Sequence, residues 1–126
     1  MVIKLYGYPV SACAARAAIV FREYNVPFEL VYVDLLNGGN KTPAFIEAQP
    51  FGQVPYVDDN GFRLYESRAI ARYIATKYNA NVKASLLPDI FTKLEKSAKF
   101  EQAASVEVVQ FDQYAVGAVI ELIVKA

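Results

Sequence analysis

The sequence predicts an α/β domain followed by the beginning of a helical domain. Through about residue 80, short apolar runs alternate with helical patterns in the order β-α-β-α-β-β-α. A proline opens the third of these strands, and from residue 89 onward only helical periodicity remains. The chain is therefore divided into an α/β part (1–80), a linker (81–88) and a helical part (89–126).

Composition excludes several classes of function. Hydrophobic residues make up 55% of the 126 residues, which is typical of a globular chain with a core. Thirteen basic and thirteen acidic residues cancel, so no charge excess favours nucleic acid as a partner. Histidine is absent, and one cysteine, Cys13, cannot build a metal site alone. With no membrane-spanning run and no leader pattern, we expect a cytoplasmic protein without a membrane partner, metal or cofactor.

The first elements form a βαβ unit. Residues 2–6 are predicted to be a strand, and Ser11 precedes an alanine-rich helix over residues 12–24 whose small side chains favour close packing on a sheet. Residues 28–33 form a second strand with enough apolar side chains to be buried. Because it follows a helix, it should run parallel to the first strand through a right-handed crossover.

The next elements centre on Val54 and Pro55. Residues 41–49 can form only a short helix, and residues 54–57 are predicted to be the third strand. An X-Pro bond adopts the cis form at a cost of only about 0.5–1 kcal/mol, and we expect this one to be cis. A cis bond here directs the backbone N–H and C=O of Val54 outward, where an extended peptide can pair with them.

A hairpin and a helix complete the α/β part. Residues 58–61, Asp-Asp-Asn-Gly, predict a turn, and residues 62–65 a fourth strand. A helix over residues 67–78 is expected to carry Ile70, Tyr73, Ile74 and Tyr78 on one face, with Ser67 as its cap. The start of a helix favours an anion such as a carboxylate. This order of elements is the thioredoxin-like pattern.

In the helical part, Asp89 is expected to cap a helix. Residues 115–124 are apolar on most sides, so they are expected to form a buried helix. Because no later residue can cover it, we expect the chain to be a fragment or to depend on another subunit.

Several short motifs follow one another along the chain: Leu-Tyr-Gly-Tyr-Pro-Val-Ser (5–11), Gly-Asn-Lys (39–41), Pro-Phe-Gly-Gln-Val-Pro (50–55), Leu-Tyr-Glu-Ser-Arg-Ala-Ile (64–70), Tyr-Ile-Ala (73–75) and Val-Gln-Phe-Asp (109–112). Together they resemble the cytosolic glutathione S-transferases, most closely the phi class. The likeness covers nearly the whole chain, and the order and spacing of the motifs are specific.

The resemblance implies an enzyme of detoxification that conjugates the thiolate of its co-substrate glutathione to small hydrophobic electrophiles. Glutathione peroxidase side activity and a homodimer are also implied. Ser11 would be the catalytic hydroxyl. The implied glutathione-binding residues are Asn40, Lys41, Gln53, Val54, Pro55, Glu66, Ser67 and Arg68.

Within that set, the resemblance assigns each end of the tripeptide. Val54 pairs with the cysteinyl backbone, Glu66 and Ser67 bind the γ-glutamyl end, and Lys41 holds the glycine carboxylate. The family often has histidine where this chain has Asn40. A hydroxyl at a helix start that donates to sulfur stabilises a thiolate, so Ser11 needs no general base.

Two other functions stay open. The first is a non-catalytic transferase-like domain for interaction or dimerisation, and the second is a thiol transferase that works through Cys13. Side chains two positions apart on a helix point in directions that differ by about 200°, so Cys13 should face away from Ser11. We expect Cys13 to be a small buried hydrophobe. Phe51 is either a dimer anchor or a plain core residue.

Overall fold

A computed structural model describes all residues from Met1 to Ala126. Four strands form one sheet in the order β2-β1-β3-β4, with β1 and β2 parallel and the other pairs antiparallel. Their bounds are β1 (Ile3–Gly7), β2 (Phe28–Tyr32), β3 (Tyr56–Asp59) and β4 (Phe62–Tyr65). The thioredoxin-like order and the parallel first pair, both predicted from the sequence, are confirmed.

Three helices complete the α/β part. They are α1 (Ala12–Glu23), α2 (Pro43–Ala48) and α3 (Ser67–Lys77), with short 3-10 turns at Gly39–Lys41 and Asn79–Asn81. Helices α1 and α3 pack against each other and against the sheet. The core holds large side chains from β1, β3, α3 and α1 with its C-cap: Leu5, Phe21, Tyr24, Val57, Ile70 and Ile74 are fully buried.

The alanines of α1 bring this helix close to β1. Ala14 and Ala17 are buried, and a Cβ added to Gly7 would lie 3.0 Å from the Cβ of Ala14. Small side chains on both elements therefore permit the close packing that the sequence predicts.

The prediction that the second strand is buried is wrong. β2 pairs only with β1, so it lies at the edge of the sheet. Leu30 and Tyr32 are 45% and 58% exposed. A run of apolar residues identifies a strand, but it does not reveal whether partners cover both of its sides.

The third strand begins later than predicted. β3 starts at Tyr56 rather than Val54, because Pro55 has no N–H to donate to a ladder. It then continues through Asp58 and Asp59, which pair with Arg63 and Phe62 of β4.

Two helix starts also differ from the sequence predictions. Glu66 occupies the N-cap position of α3 without a capping hydrogen bond from its side chain, and Ser67 is the first residue of the helix. Asp89 accepts hydrogen bonds from the backbone N–H of Phe91 and the hydroxyl of Thr92, and so closes a turn. The helix beyond it begins only at Leu94.

The chain divides into two compact units, Met1–Ser85 and Leu86–Ala126. The second unit contains α4 (Leu94–Val106) and α5 (Gln113–Val119), which π-helical turns extend at Glu107–Asp112 and Ile120–Val124. The expected burial of residues 115–124 does not occur in the described chain, since Leu122, Ile123 and Val124 are all more than 70% exposed. No helix has both the length and the apolar composition that crossing a bilayer requires.

Candidate functional site

The sheet register brings four chain segments to one end of the sheet. Gly7 ends β1 beside Tyr32, which ends β2. Tyr56 starts β3 beside both Tyr6 and Tyr65, and Tyr65 ends β4. Four segments therefore meet at this end of the sheet: three that leave it after Gly7, Tyr32 and Tyr65, and one that enters it before Tyr56. These segments contain all the predicted site residues: Ser11, Asn40, Lys41, Gln53, Val54, Pro55, Glu66, Ser67 and Arg68.

Ser11 is the N-cap of α1. Its backbone N–H donates to the carbonyl of Tyr8 at 2.9 Å, and its Oγ accepts from the N–H of Ala14 at 3.3 Å. A hydroxyl that accepts in a cap still has its hydrogen to donate. The capping role of Ser11 is therefore compatible with a hydrogen bond from its hydroxyl to a ligand atom.

A pocket of about 60 Å³ lies between α1, α3 and the segment before β3. The predicted residues of segments 53–55 and 66–68 all line it, together with Cys13 and Gln49. Ser11, Asn40 and Lys41 are not among the lining residues. The pocket thus unites most of the predicted binding residues at the start of α3.

The segment that leads into β3 lines one side of the pocket. The Val54–Pro55 bond is cis, as predicted, and Val54 lies outside the β ladder that starts at Tyr56. The rings of Tyr6 and Tyr56 stack with centroids 4.3 Å apart. Burial, with a smaller contribution from Tyr6, raises the pKa of Tyr56 to about 12, so its phenol stays neutral at ordinary pH.

The start of α3 combines an unusual backbone with a buried hydroxyl. Glu66 has a φ of +72°, which a residue other than glycine rarely adopts, and it is exposed. Ser67 is only 4% exposed, and its Oγ accepts a hydrogen bond from Nη1 of Arg16 at 2.8 Å. The first N–H groups of the helix have no partner within the helix, so they are suited to an anion.

Sequence reasoning missed two residues that shape this pocket. Arg16 is the only charged residue in the first half of α1. A single arginine among alanines could have indicated that its side chain makes a specific contact. Gln49 is 2% exposed, and its Oε1 accepts from the N–H of Phe51 at 2.7 Å, which holds the segment that leads to Val54. No pattern in the sequence points to Gln49.

Cys13 requires a correction. It was expected to be a buried hydrophobe, but it is half-buried and lines the pocket. Its Sγ lies 3.7 Å from Nη1 of Arg16, the atom that also donates to Ser67. The thiol therefore forms part of the same wall as the start of α3.

Asn40 and Lys41 converge on one carbonyl. The side-chain amide of Asn40 donates to the carbonyl of Gly52 at 2.7 Å, and the ammonium of Lys41 donates to the same oxygen at 3.2 Å. Lys41 is exposed. An ammonium has three hydrogens, so two of them remain for a carboxylate beside Gln53.

A brace joins the hairpin to α3. The carboxylate of Asp59 accepts hydrogen bonds from the hydroxyl of Tyr73 at 2.6 Å and from the ammonium of Lys77. Burial raises the pKa of Asp59, but these two bonds and the charge of Lys77 outweigh it and leave the pKa below its usual value. The brace therefore stabilises the fold above the unfolded-state pKa of about 3.9 and weakens as the pH falls through the lower folded-state value.

Comparison with known proteins decides the family. A family model described as glutathione S-transferase, N-terminal domain, matches residues 1–76. The chain belongs to the glutathione S-transferase family. This transferase chain is 42% identical to glutathione S-transferase hmp2 of Hypomyces subiculosus and 44% identical to glutathione S-transferase F12 of Arabidopsis thaliana, over 99% of its own length in both cases. The phi-class resemblance of the motifs is confirmed by the F-type relative of Arabidopsis thaliana.

Solved structures of glutathione transferases are similar to this chain. Poplar glutathione transferase F1 matches with a TM-score of 0.88 and 35% identity, over 98% of this chain and 56% of that one. Glutathione S-transferase-I bound with lactoylglutathione matches with a TM-score of 0.83 and 27% identity, over the same shares. The transferase chain covers 57% and 56% of the hmp2 and F12 proteins, so it spans a little over half the length of these curated relatives.

Proposed function

We propose that this chain binds glutathione at the described end of the sheet and activates its thiol for conjugation to small hydrophobic electrophiles. The observation that carries the proposal is the meeting of Val54, Glu66 and Ser67 in one pocket at the start of α3. Their chemistry suits an extended peptide that ends in an amino-acid zwitterion.

Each part of glutathione has a complementary group. The carboxylate of Glu66 attracts the ammonium of the γ-glutamyl end, while the hydroxyl of Ser67 and the N-terminus of α3 attract its carboxylate. The backbone of Val54, outside the ladder, is available to the cysteinyl residue. Beyond these three residues, the proposed contacts are completed by Asn40, Lys41, Gln53, Pro55 and Arg68.

In the proposed mechanism, Ser11 donates its hydroxyl hydrogen to the sulfur of glutathione. A free thiol has a pKa of about 8.5, and this hydrogen bond together with the N-terminus of α1 lowers it by stabilising the thiolate. The thiol proton passes to solvent. The thiolate then forms a C–S bond with the electrophile, and the leaving group departs with its electron pair.

The same thiolate can attack a peroxide in the proposed side activity. An S–O bond forms, the O–O bond breaks, and the protonated products are glutathione sulfenic acid and an alcohol. A second glutathione converts the sulfenic acid to oxidised glutathione and water.

Replacing Ser11 with alanine tests the mechanism. We expect Ser11→Ala to lower the conjugation rate with an aryl halide by about 100-fold, the usual cost of removing one donor to a developing anion, while the dissociation constant of glutathione changes little. Ultraviolet absorbance of the bound thiolate should show a raised thiol pKa in this variant. Ser105→Ala, at an exposed position on α4, is the control. An unchanged rate and thiol pKa would refute the role.

A non-catalytic domain and a Cys13 thiol transferase give different outcomes. A non-catalytic domain would be retained on immobilised glutathione without lowering its thiol pKa. The position of Cys13 in the pocket wall favours the thiol-transferase alternative. If Cys13→Ala keeps full deglutathionylating activity, that alternative fails.

We further propose that the protein assembles as a homodimer. Phe51 is 64% exposed, so it is not a plain core residue, and its ring meets Tyr65 edge-on at 6.1 Å. An exposed aromatic of this kind is typical of an interface anchor. Light scattering that reports a single 14.0 kDa chain at all concentrations would contradict the dimer.

A further inference from the structure

Arg16 lies outside the binding residues that the motifs imply, yet its side chain reaches the start of α3. Nη1 donates to the Oγ of Ser67 at 2.8 Å, across 51 positions of sequence. We propose that Arg16 is a positioning residue that makes Ser67 a donor to a carboxylate, and so selects ligands with an α-carboxylate at the γ-glutamyl end. This inference rests on the proposed binding of glutathione in the pocket.

The hydrogen-bond donors and acceptors of the two side chains support this role. A guanidinium carries only donors, whereas a serine hydroxyl has one hydrogen and two lone pairs. In their hydrogen bond Ser67 must therefore be the acceptor, and its own hydrogen is left to donate to another group. A ligand carboxylate fits that hydrogen because it can only accept.

Burial strengthens the effect. Ser67 is 4% exposed, and hydrogen bonds that involve an ionised partner are stronger where water is excluded. The same Nη1 lies 3.7 Å from Sγ of Cys13, so the guanidinium contacts two residues of the pocket wall without being among the lining residues. A bound carboxylate would therefore feel the guanidinium both through the hydrogen bond to Ser67 and by attraction between the two charges.

The first test compares three variants by calorimetric titration with glutathione. Arg16→Met should weaken binding about tenfold or more, the range for loss of a hydrogen bond to a charged group. Arg16→Lys keeps a cationic donor and should recover part of the affinity. Arg22→Met removes an exposed arginine from the same helix and should bind within about twofold of wild type, the range of surface substitutions. Circular dichroism reports whether each variant is folded.

The second test uses two analogues of glutathione with the same proteins. 4-Aminobutyryl-cysteinyl-glycine lacks the α-carboxylate, and glutaryl-cysteinyl-glycine lacks the α-ammonium. Wild type should bind both less tightly than glutathione. Arg16→Met should lose its discrimination against the analogue without the carboxylate and keep its discrimination against the analogue without the ammonium, which depends on Glu66.

The outcomes separate this role from a structural one. A variant with a generally damaged pocket would lose discrimination against both analogues, and that result would overturn the inference. Wild-type affinity for glutathione in Arg16→Met would also overturn it while leaving the proposed function intact. If wild type itself binds no glutathione, the proposed function fails, and the role of Arg16 fails with it.

Discussion

The two ends of the candidate site, each proposed to bind a carboxylate of glutathione, position their hydrogen-bond donors by different physical means. The closed end is formed by Arg16, Ser67 and the start of α3, where Ser67, only 4% exposed, lies between two packed helices. The open end, formed by Asn40, Lys41 and Gly52, places an exposed ammonium on a 3-10 turn. Helix packing pre-organises the first donor, whereas a loop and two hydrogen bonds to one carbonyl position the second.

This difference predicts where each end is vulnerable. The closed end depends on the core beneath α3, because the helix must remain packed on that core to hold Ser67 next to Arg16. The open end depends on a local backbone shape, since Gly52 has a φ of +61° and supplies the carbonyl that both side chains contact. Because the ammonium at the open end is exposed, dissolved salt screens its interaction with other charges.

The largest effect is expected from the core beneath the closed end. Ile70 is fully buried one turn after Ser67, so Ile70→Ala should lower the free energy of unfolding by about 2–5 kcal/mol. Leu36→Ala is the matched control because Leu36, in the loop before the open end, is 81% exposed. Urea denaturation measures both. Equal losses in the two variants would break the contrast between a core-supported end and a loop-supported end.

The sequence predicted the fold better than it predicted contacts between helices. Alternating apolar runs and the proline at position 55 were enough to predict the order of strands and helices along the chain, since these are local signals. The edge position of β2 was missed because a strand's own residues do not show how many neighbours it has. The contact between Arg16 and Ser67 was missed for a related reason: it joins residues 51 positions apart and becomes visible only when α1 and α3 pack together.

The motifs placed the site residues more accurately than their individual roles. Glu66 and Ser67 were expected at a helix start, and they are there, but the cap belongs to Glu66 because it adopts a φ of +72°. The hydroxyl of Ser67 is instead bonded to Arg16. A hydroxyl that the sequence predicts to be a cap is thus bonded to a charged side chain from a neighbouring helix.

A smaller effect is expected from the backbone of the open end. A Cβ on Gly52 would lie 2.6 Å from the ammonium of Lys41 and 3.0 Å from the carbonyl of Asn40, at a positive φ. Gly52→Ala should therefore cost about 1–3 kcal/mol of unfolding free energy and also weaken glutathione binding. Gly61 also has a positive φ, but a Cβ added there would meet no atom within 4 Å. Gly61→Ala therefore measures the cost of the backbone conformation alone.

Calorimetric titration and thermal unfolding distinguish the two glycine variants. Gly61→Ala should lose stability and bind glutathione as wild type does. If Gly52→Ala also binds as wild type does, the placement of Lys41 against Gly52 has no part in recognition.

The smallest effect is expected from the exposed ammonium itself. Lys41→Met removes the charge that is proposed to pair with a solvent-exposed carboxylate of glutathione. Exposed pairs of this kind contribute about 0.2–1 kcal/mol, or up to about fivefold in affinity. Because the Debye length falls from about 10 Å at 0.1 M salt to about 3 Å at 1 M, the difference between Lys41→Met and wild type should vanish in high salt. Ser67→Ala provides the comparison at the closed end, where the affinity loss should persist at both salt concentrations. A loss in Lys41→Met that is large and insensitive to salt would mean that Lys41 becomes buried when the ligand binds, and the distinction between an open and a closed end would then hold only for the free protein.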